Sequence, residues 1–176
     1  MTHYALRCAD DVVTRYRVHA GDAAVGEIRH EQIHADSLHL GTRRYWLVNE
    51  DAERGTSHLA RFIGRLRPDR TYVLRDGETE LARARRHWSL FGRRDWIEFR
   101  TPGDTAAIEV TARGLLAGDI RLHRAGAELG TMAITGTWRE GVTLQAPGLT
   151  VPQATLLMLA VHRAWGNVPR THPEFS

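Results

Sequence analysis

The stretch VPQATLLMLAVHRAW, Val151–Trp165, has no polar side and decides how the rest of the chain must be arranged. Thr150 suits the N-cap, and Gln153 three residues on completes a capping box. Pro152 falls in the first turn, where its missing N–H costs little. Gly166 suits the left-handed closing position, and Pro169 forbids resumption. Between these signals apolar residues cover every side of the cylinder, so the helix must be wrapped by protein or lipid. Fifteen residues span roughly 22 Å, short of the ~20 residues a bilayer crossing needs. The wrapper is therefore expected to be protein, and the sequence offers no transmembrane span.

Before Thr150 the hydrophobic pattern has period two and is interrupted every eight to twelve residues by Gly, Asp or Pro, the signature of an all-β domain. Three hairpins repeat. Tyr16, Val18, Gly21, Val25, Gly26 and Ile28 match Tyr72, Leu74, Gly77, Leu81, Ala82 and Ala84 at identical offsets. Ile120, Leu122, Leu129, Gly130 and Met132 match again, with the turn glycine displaced by one place to Gly126. Each unit is an outgoing strand, a turn needing positive φ, and a return strand with a small residue beside its apolar one. That small residue suits close backbone approach or a bend. Six more strand-like runs, Ser37–Leu40, Arg44–Asn49, His58–Gly64, Trp96–Arg100, Ala106–Ala112 and Thr137–Gln145, bring the expected total to about twelve.

Eight strands give a barrel that side chains alone can fill, so twelve leave a lumen that needs a plug. Six-residue strands are roughly 20 Å long, the length of the apolar helix. The expected architecture is a closed antiparallel barrel of about twelve strands around a buried C-terminal helix, Val151–Trp165. It forms one domain over residues 1–168, with 169–176 as a tail. Repeated hairpins such as Tyr72–Ala84, with a terminal apolar helix, resemble the tubby C-terminal, phospholipid scramblase and LURP-one-related superfamily. The resemblance covers nearly the whole chain and is architectural. It implies the same barrel and helix, and either anionic-lipid binding, membrane tethering or no known activity, and it carries over no site residue. No acidic loop resembles the calcium site of scramblases.

Composition narrows the class. An apolar fraction of 42% with 26% charged residues is that of a soluble globular protein. Cys8 is the only cysteine, so no intrachain disulfide forms and a reducing compartment fits. Residues 1–11 lack a basic region followed by an apolar run, so a cytoplasmic protein, at most peripheral to a membrane, is expected. All 24 basic residues are arginine, which reads as coding bias rather than function. The net charge of +3 is uneven, because residues 54–100 hold 12 Arg against 6 acidic residues. Such a region attracts phosphate-bearing partners or simply forms a solvated face.

The basic candidates are Arg83, Arg85, Arg86, Arg93 and Arg94, with Trp88 among them. Arg83 and Arg85 alternate with Ala82 and Ala84, which predicts an outward-facing pair on a strand. Residues 86–94 read as a loop with Trp88 and Phe91 at its tip. Guanidinium groups around exposed aromatics suit an anionic membrane surface or a phosphoinositide-like lipid. Single-stranded nucleic acid shares that chemistry. The alternative folds the aromatics back to close one barrel end, leaving a structural domain whose partner is another protein.

A second class of function rests on His30-Glu31-Gln32-Ile33-His34, the H-E-x-x-H string. On a helix His30 and His34 would hold zinc while Glu31 activates water, giving a zinc hydrolase. The string follows a return strand, however, and Gly26 stands where the helix would continue. His39 adds a third imidazole nearby, and a His-rich strand face is ordinary polar surface too. His162 reads as a neutral imidazole buried against the barrel wall. No nucleophile elbow, P-loop, C-x-x-C or dinucleotide fingerprint occurs, so the expectation is a non-enzymatic binding module with no catalytic residue and no cofactor.

Overall fold

The structure, a computed structural model, describes residues 2–9, 15–32, 35–51, 70–87, 95–113, 119–135 and 141–165. Among them twelve strands and one helix form. The strands are β1 (His3–Cys8), β2 (Arg15–Ala20), β3 (Ala23–Gln32), β4 (Ala35–Leu40), β5 (Arg43–Asn49) and β6 (Thr71–Asp76). They continue as β7 (Thr79–His87), β8 (Trp96–Arg100), β9 (Ile108–Arg113), β10 (Asp119–Arg124), β11 (Ala127–Thr135) and β12 (Gly141–Gln145), before α1 (Val151–Trp165). Each strand pairs antiparallel with its sequence neighbours, and β1 with β12 closes the ring. Closure leaves no strand edge unpaired.

Period-two alternation puts one side of every strand inside. Leu6, Val18, Ile28, Leu38, Leu47, Leu74, Phe99, Val110, Leu122 and Leu144 all meet at the lumen and are fully buried. The lumen is filled by α1. Its residues 154–162 are buried without a break, so every side of the cylinder is covered. It packs against β6, β7 and β8 on one side of the ring and β1 and β12 on the other. Each fully buried Leu or Met along it contributes about 1.5–3 kcal/mol, on top of the good helix propensity of its Ala, Leu and Met residues. One arm of the expected capping box forms, the Thr150 amide donating to Gln153 Oε1 at 3.0 Å. Tyr4 on β1 fixes the approach to the helix by donating its hydroxyl to the Leu149 carbonyl at 2.7 Å.

The three repeated hairpins share one device. Register shifts after Val18, Leu74 and Leu122 leave Val25, Leu81 and Leu129 as the extra residue of a β-bulge. The small residue that follows faces a neighbouring backbone. A Cβ at Gly26 would lie 2.2 Å from the His39 carbonyl oxygen, and one at Gly130 would lie 2.1 Å from that of Gln145. The second repeat accommodates Ala82 at this position, which is fully buried. The turns differ as the sequence indicated: Gly21 and Gly77 take φ +60° and +57°, whereas the displaced turn uses Ala125 at +51° and Gly126 at +82°.

Three expectations are corrected or displaced. The twelve strands include β1, which the sequence reading did not assign, while His58–Gly64 lies outside the described residues. Strand β7 runs on through Arg86 and His87, where a loop was expected, because both pair with β8 opposite Ile97 and Trp96. Strand β3 likewise continues to Gln32.

Candidate functional site

Up-and-down topology sorts the connections by end. The tight turns at 21–22, 41–42, 77–78 and 125–126 sit with the helix N-terminus. The ends of β3, β5, β7, β9 and β11 sit with the helix C-terminus, at the other mouth of the barrel. The basic candidates on β7 approach this second end.

Alternation on β7 gives its arginines different jobs. Ala82 and Ala84 are fully buried, so Arg83 and Arg85 point outward as expected. Arg83 is occupied: it donates to Glu50 at 2.8 and 3.1 Å and to Glu80 at 3.0 and 2.8 Å. The Glu80 hydrogen bond and then Glu50 push its pKa up against the opposing effect of burial. Arg85 is exposed and has no ion pair among the described residues. Arg86 takes the inward parity and grips Asp95 with two hydrogen bonds, 2.9 and 2.5 Å. Asp95 Oδ2 also accepts the Trp165 indole N–H at 2.7 Å, which pins the end of α1 to the start of β8. Arg93, Arg94, Trp88 and Phe91 lie outside the described residues.

Three further residues belong to this mouth. Arg70 is exposed, carries no ion pair among the described residues, and accepts the Arg86 amide on its carbonyl at 2.8 Å. Arg163, in the last turn of the helix, donates to buried Asp36 on β4 at 2.5 Å and stands 5.5 Å from the Tyr72 ring centroid. Burial opposes its charge, but Asp36 outweighs this and raises its pKa. Arg70, Arg86 and Arg163 line one small cleft with Tyr72, Ile97, Ala160 and Ala164. Sequence reading missed Arg163 and Tyr72 because each fits a commonplace role, a cation at a helix C-terminus and an inward strand aromatic. The β6–β7 hairpin places Tyr72 and Arg86 side by side, and only the seating of α1 in the lumen brings Arg163 to them.

The H-E-x-x-H string is not helical at its first two residues. His30 and Glu31 are successive on β3, where a bulge interrupts the pairing with β4, and their side chains take different partners. His30 Nδ1 lies 2.8 Å from Asp36 Oδ1, on the carboxylate that also holds Arg163. Glu31 instead accepts the Ser37 hydroxyl at 2.6 Å and pairs with Arg44 at 3.2 Å. The Ser37 hydrogen bond, assisted by Arg44 and opposed by burial, lowers the Glu31 pKa. His39 Nε2 joins this outer cluster at 2.9 Å from Ser37 Oγ. His34 lies outside the described residues, and among those described no three His, Cys, Asp or Glu side chains gather as for a metal. His162 is buried as expected, edge-on to Tyr16 with ring centroids 5.5 Å apart. Among the described residues no helix is long and apolar enough to cross a membrane.

Comparison with models of known protein families, with curated proteins and with solved structures gives no match for this chain.

Proposed function

We propose that the protein is a non-enzymatic binding or tethering module for anionic groups, with lipid head-group phosphate as its principal ligand class. The observation that carries the reading is a pair of unpaired guanidinium groups at one barrel mouth. Arg70 and Arg85 are both exposed and lack ion pairs among the described residues. They flank the β6–β7 pairing, since Arg85 is opposite Thr71. An anionic partner at this mouth would find both guanidinium groups free to pair with it. Several other arginines are consumed by carboxylates, as Arg83 is by Glu50 and Glu80 and Arg121 is by Asp119 and Glu128, while Arg7, Arg15 and Arg17 on β1 and β2 are exposed and, like Arg70 and Arg85, lack ion pairs among the described residues. The chain leading from β7 carries Trp88, Arg93 and Arg94, a composition suited to an anionic membrane interface. The architectural resemblance to tubby-like and scramblase-like barrels points the same way.

The test is sedimentation with vesicles lacking or containing phosphatidylinositol phosphates, at two salt concentrations. Binding to the anionic vesicles is expected to weaken with salt and to fall in Arg85→Glu, whose exposed position leaves folding intact. Equal binding to neutral and anionic vesicles would overturn the reading.

A further inference from the structure

We propose that the cleft between α1 and the β6–β8 wall is a site for a single tetrahedral oxyanion, a phosphate group, with one oxygen seated beside Tyr72. The proposal goes deeper into the same barrel mouth and rests on the preceding reading only for the sign of the ligand's charge.

The cleft is built by small residues. Ala160, Arg163 and Ala164 share one face of α1, because positions three and four apart on a helix are neighbours. The two alanines leave space against Ile97 and Tyr72, and the guanidinium between them borders that space. Its walls supply three guanidinium groups, Arg70, Arg86 and Arg163, against the two carboxylates Asp95 and Asp36 that hold the last two. The surplus positive charge is that of Arg70.

A second observation points to a ligand independently of charge. Tyr72 is 3% exposed and its hydroxyl, itself shielded from solvent, has no hydrogen-bond partner. Buried polar groups are nearly always satisfied, and an orphaned one costs about 1–3 kcal/mol. Phenylalanine would fill this wall without that penalty. The hydroxyl sits instead on a residue lining a cationic cleft, where it is placed to donate to an acceptor oxygen. The enclosed part of the cleft has room for about one water-sized group. One terminal phosphate oxygen has that size, while the remaining oxygens stay at the mouth, towards Arg70. A larger head group does not enter, so the recognised chemistry is the phosphate itself, free or at the end of a lipid.

The experiment uses the full chain with inorganic phosphate as probe, read by calorimetric titration at constant ionic strength with chloride as control, beside the vesicle assay. Three proteins are compared: the unmodified chain, Tyr72→Phe and Arg70→Glu. Removing an unpartnered hydroxyl leaves the ligand-free melting temperature unchanged or slightly higher, so folding does not confound the variant. Phosphate is expected to bind the unmodified chain, about tenfold more weakly in Tyr72→Phe, as for a lost hydrogen bond to a charged acceptor. It should not bind Arg70→Glu. Absence of phosphate binding by the unmodified chain, or equal binding by Tyr72→Phe, means that the cleft holds only an ordered water and overturns the proposal. The two readings separate cleanly. Vesicle binding with no phosphate effect leaves the surface reading and removes the cleft. Phosphate binding without vesicle binding leaves the cleft, with free phosphate as its source, and removes tethering.

Discussion

Gly130→Ala tests whether the repeated bulge is a packing device or merely a flexible point. The new methyl would be 2.1 Å from the Gln145 carbonyl oxygen and 3.0 Å from both Cα and Cβ of Ala146. The first obstacle is backbone on the adjacent strand β12, so no side chain can swing aside. Relief requires β11 and β12 to separate by roughly 1 Å, against a normal strand spacing of about 4.8 Å. Forcing extra volume into a packed core costs about 1–3 kcal/mol, and a backbone obstacle belongs at the upper end. At about 2–4 °C per kcal/mol for a domain of this size, the melting temperature should fall by roughly 5–10 °C. Gly26→Ala meets the His39 carbonyl oxygen at 2.2 Å and should behave alike. The second repeat supplies the control. Ala82 already carries a Cβ, so Ala82→Gly loses only one buried methyl and some backbone restriction, about 1–2 kcal/mol. Thermal unfolding followed by circular dichroism ranks the three variants directly. If Gly130→Ala melted within 1–2 °C of the parent, the reasoning from the repeat would fail.

Two further outcomes follow from the ion pairs. Asp36 is nearly buried and holds both Arg163 and His30, so Asp36→Asn should cost about 2–3 kcal/mol by leaving a guanidinium uncompensated. Urea unfolding measures this, and adding Arg163→Met should restore part of the loss, since no unpaired charge is then left at the helix end. Burial tends to raise the Glu98 pKa, but hydrogen bonds from Arg100 and His87 outweigh it and the net shift is downward. A lowered carboxylate pKa stabilises the fold above the ordinary carboxylate range, and that contribution is lost as pH falls through the lowered value. Melting curves of the parent and Glu98→Gln should therefore be separated at pH 7 and converge in acid; a constant gap would contradict the assignment.

Much of this fold was legible because it rests on periodicity. The helix was readable from its all-round apolar surface, and the hairpins from strict alternation with glycine at recurrent offsets. Strand β1 escaped because one short run near a terminus, without a turn signal of its own, carries little local information. Its place is set by partners at both ends of the chain, β12 and β2. The end of β7 was misjudged for a related reason. Arg86 breaks the apolar pattern, yet it points inward because Asp95 neutralises it at the barrel mouth.

The candidate site divides along the same line. The outward projection of Arg83 and Arg85 follows from alternation and was available in the sequence. That Arg83 is tied to Glu50, 33 positions away, while Arg85 is not, depends on which strands become neighbours. The H-E-x-x-H string shows the converse: identical letters hold a metal on a helix and take different partners on a strand. Local pattern fixed which faces are apolar and hence that a sheet must close around a helix, because hydrophobic burial is governed by short-range periodicity. Tertiary structure alone decided which charges are spent and that Tyr72, Arg86 and Arg163 share one cleft, because electrostatics and hydrogen bonding depend on distances that chain separation does not determine.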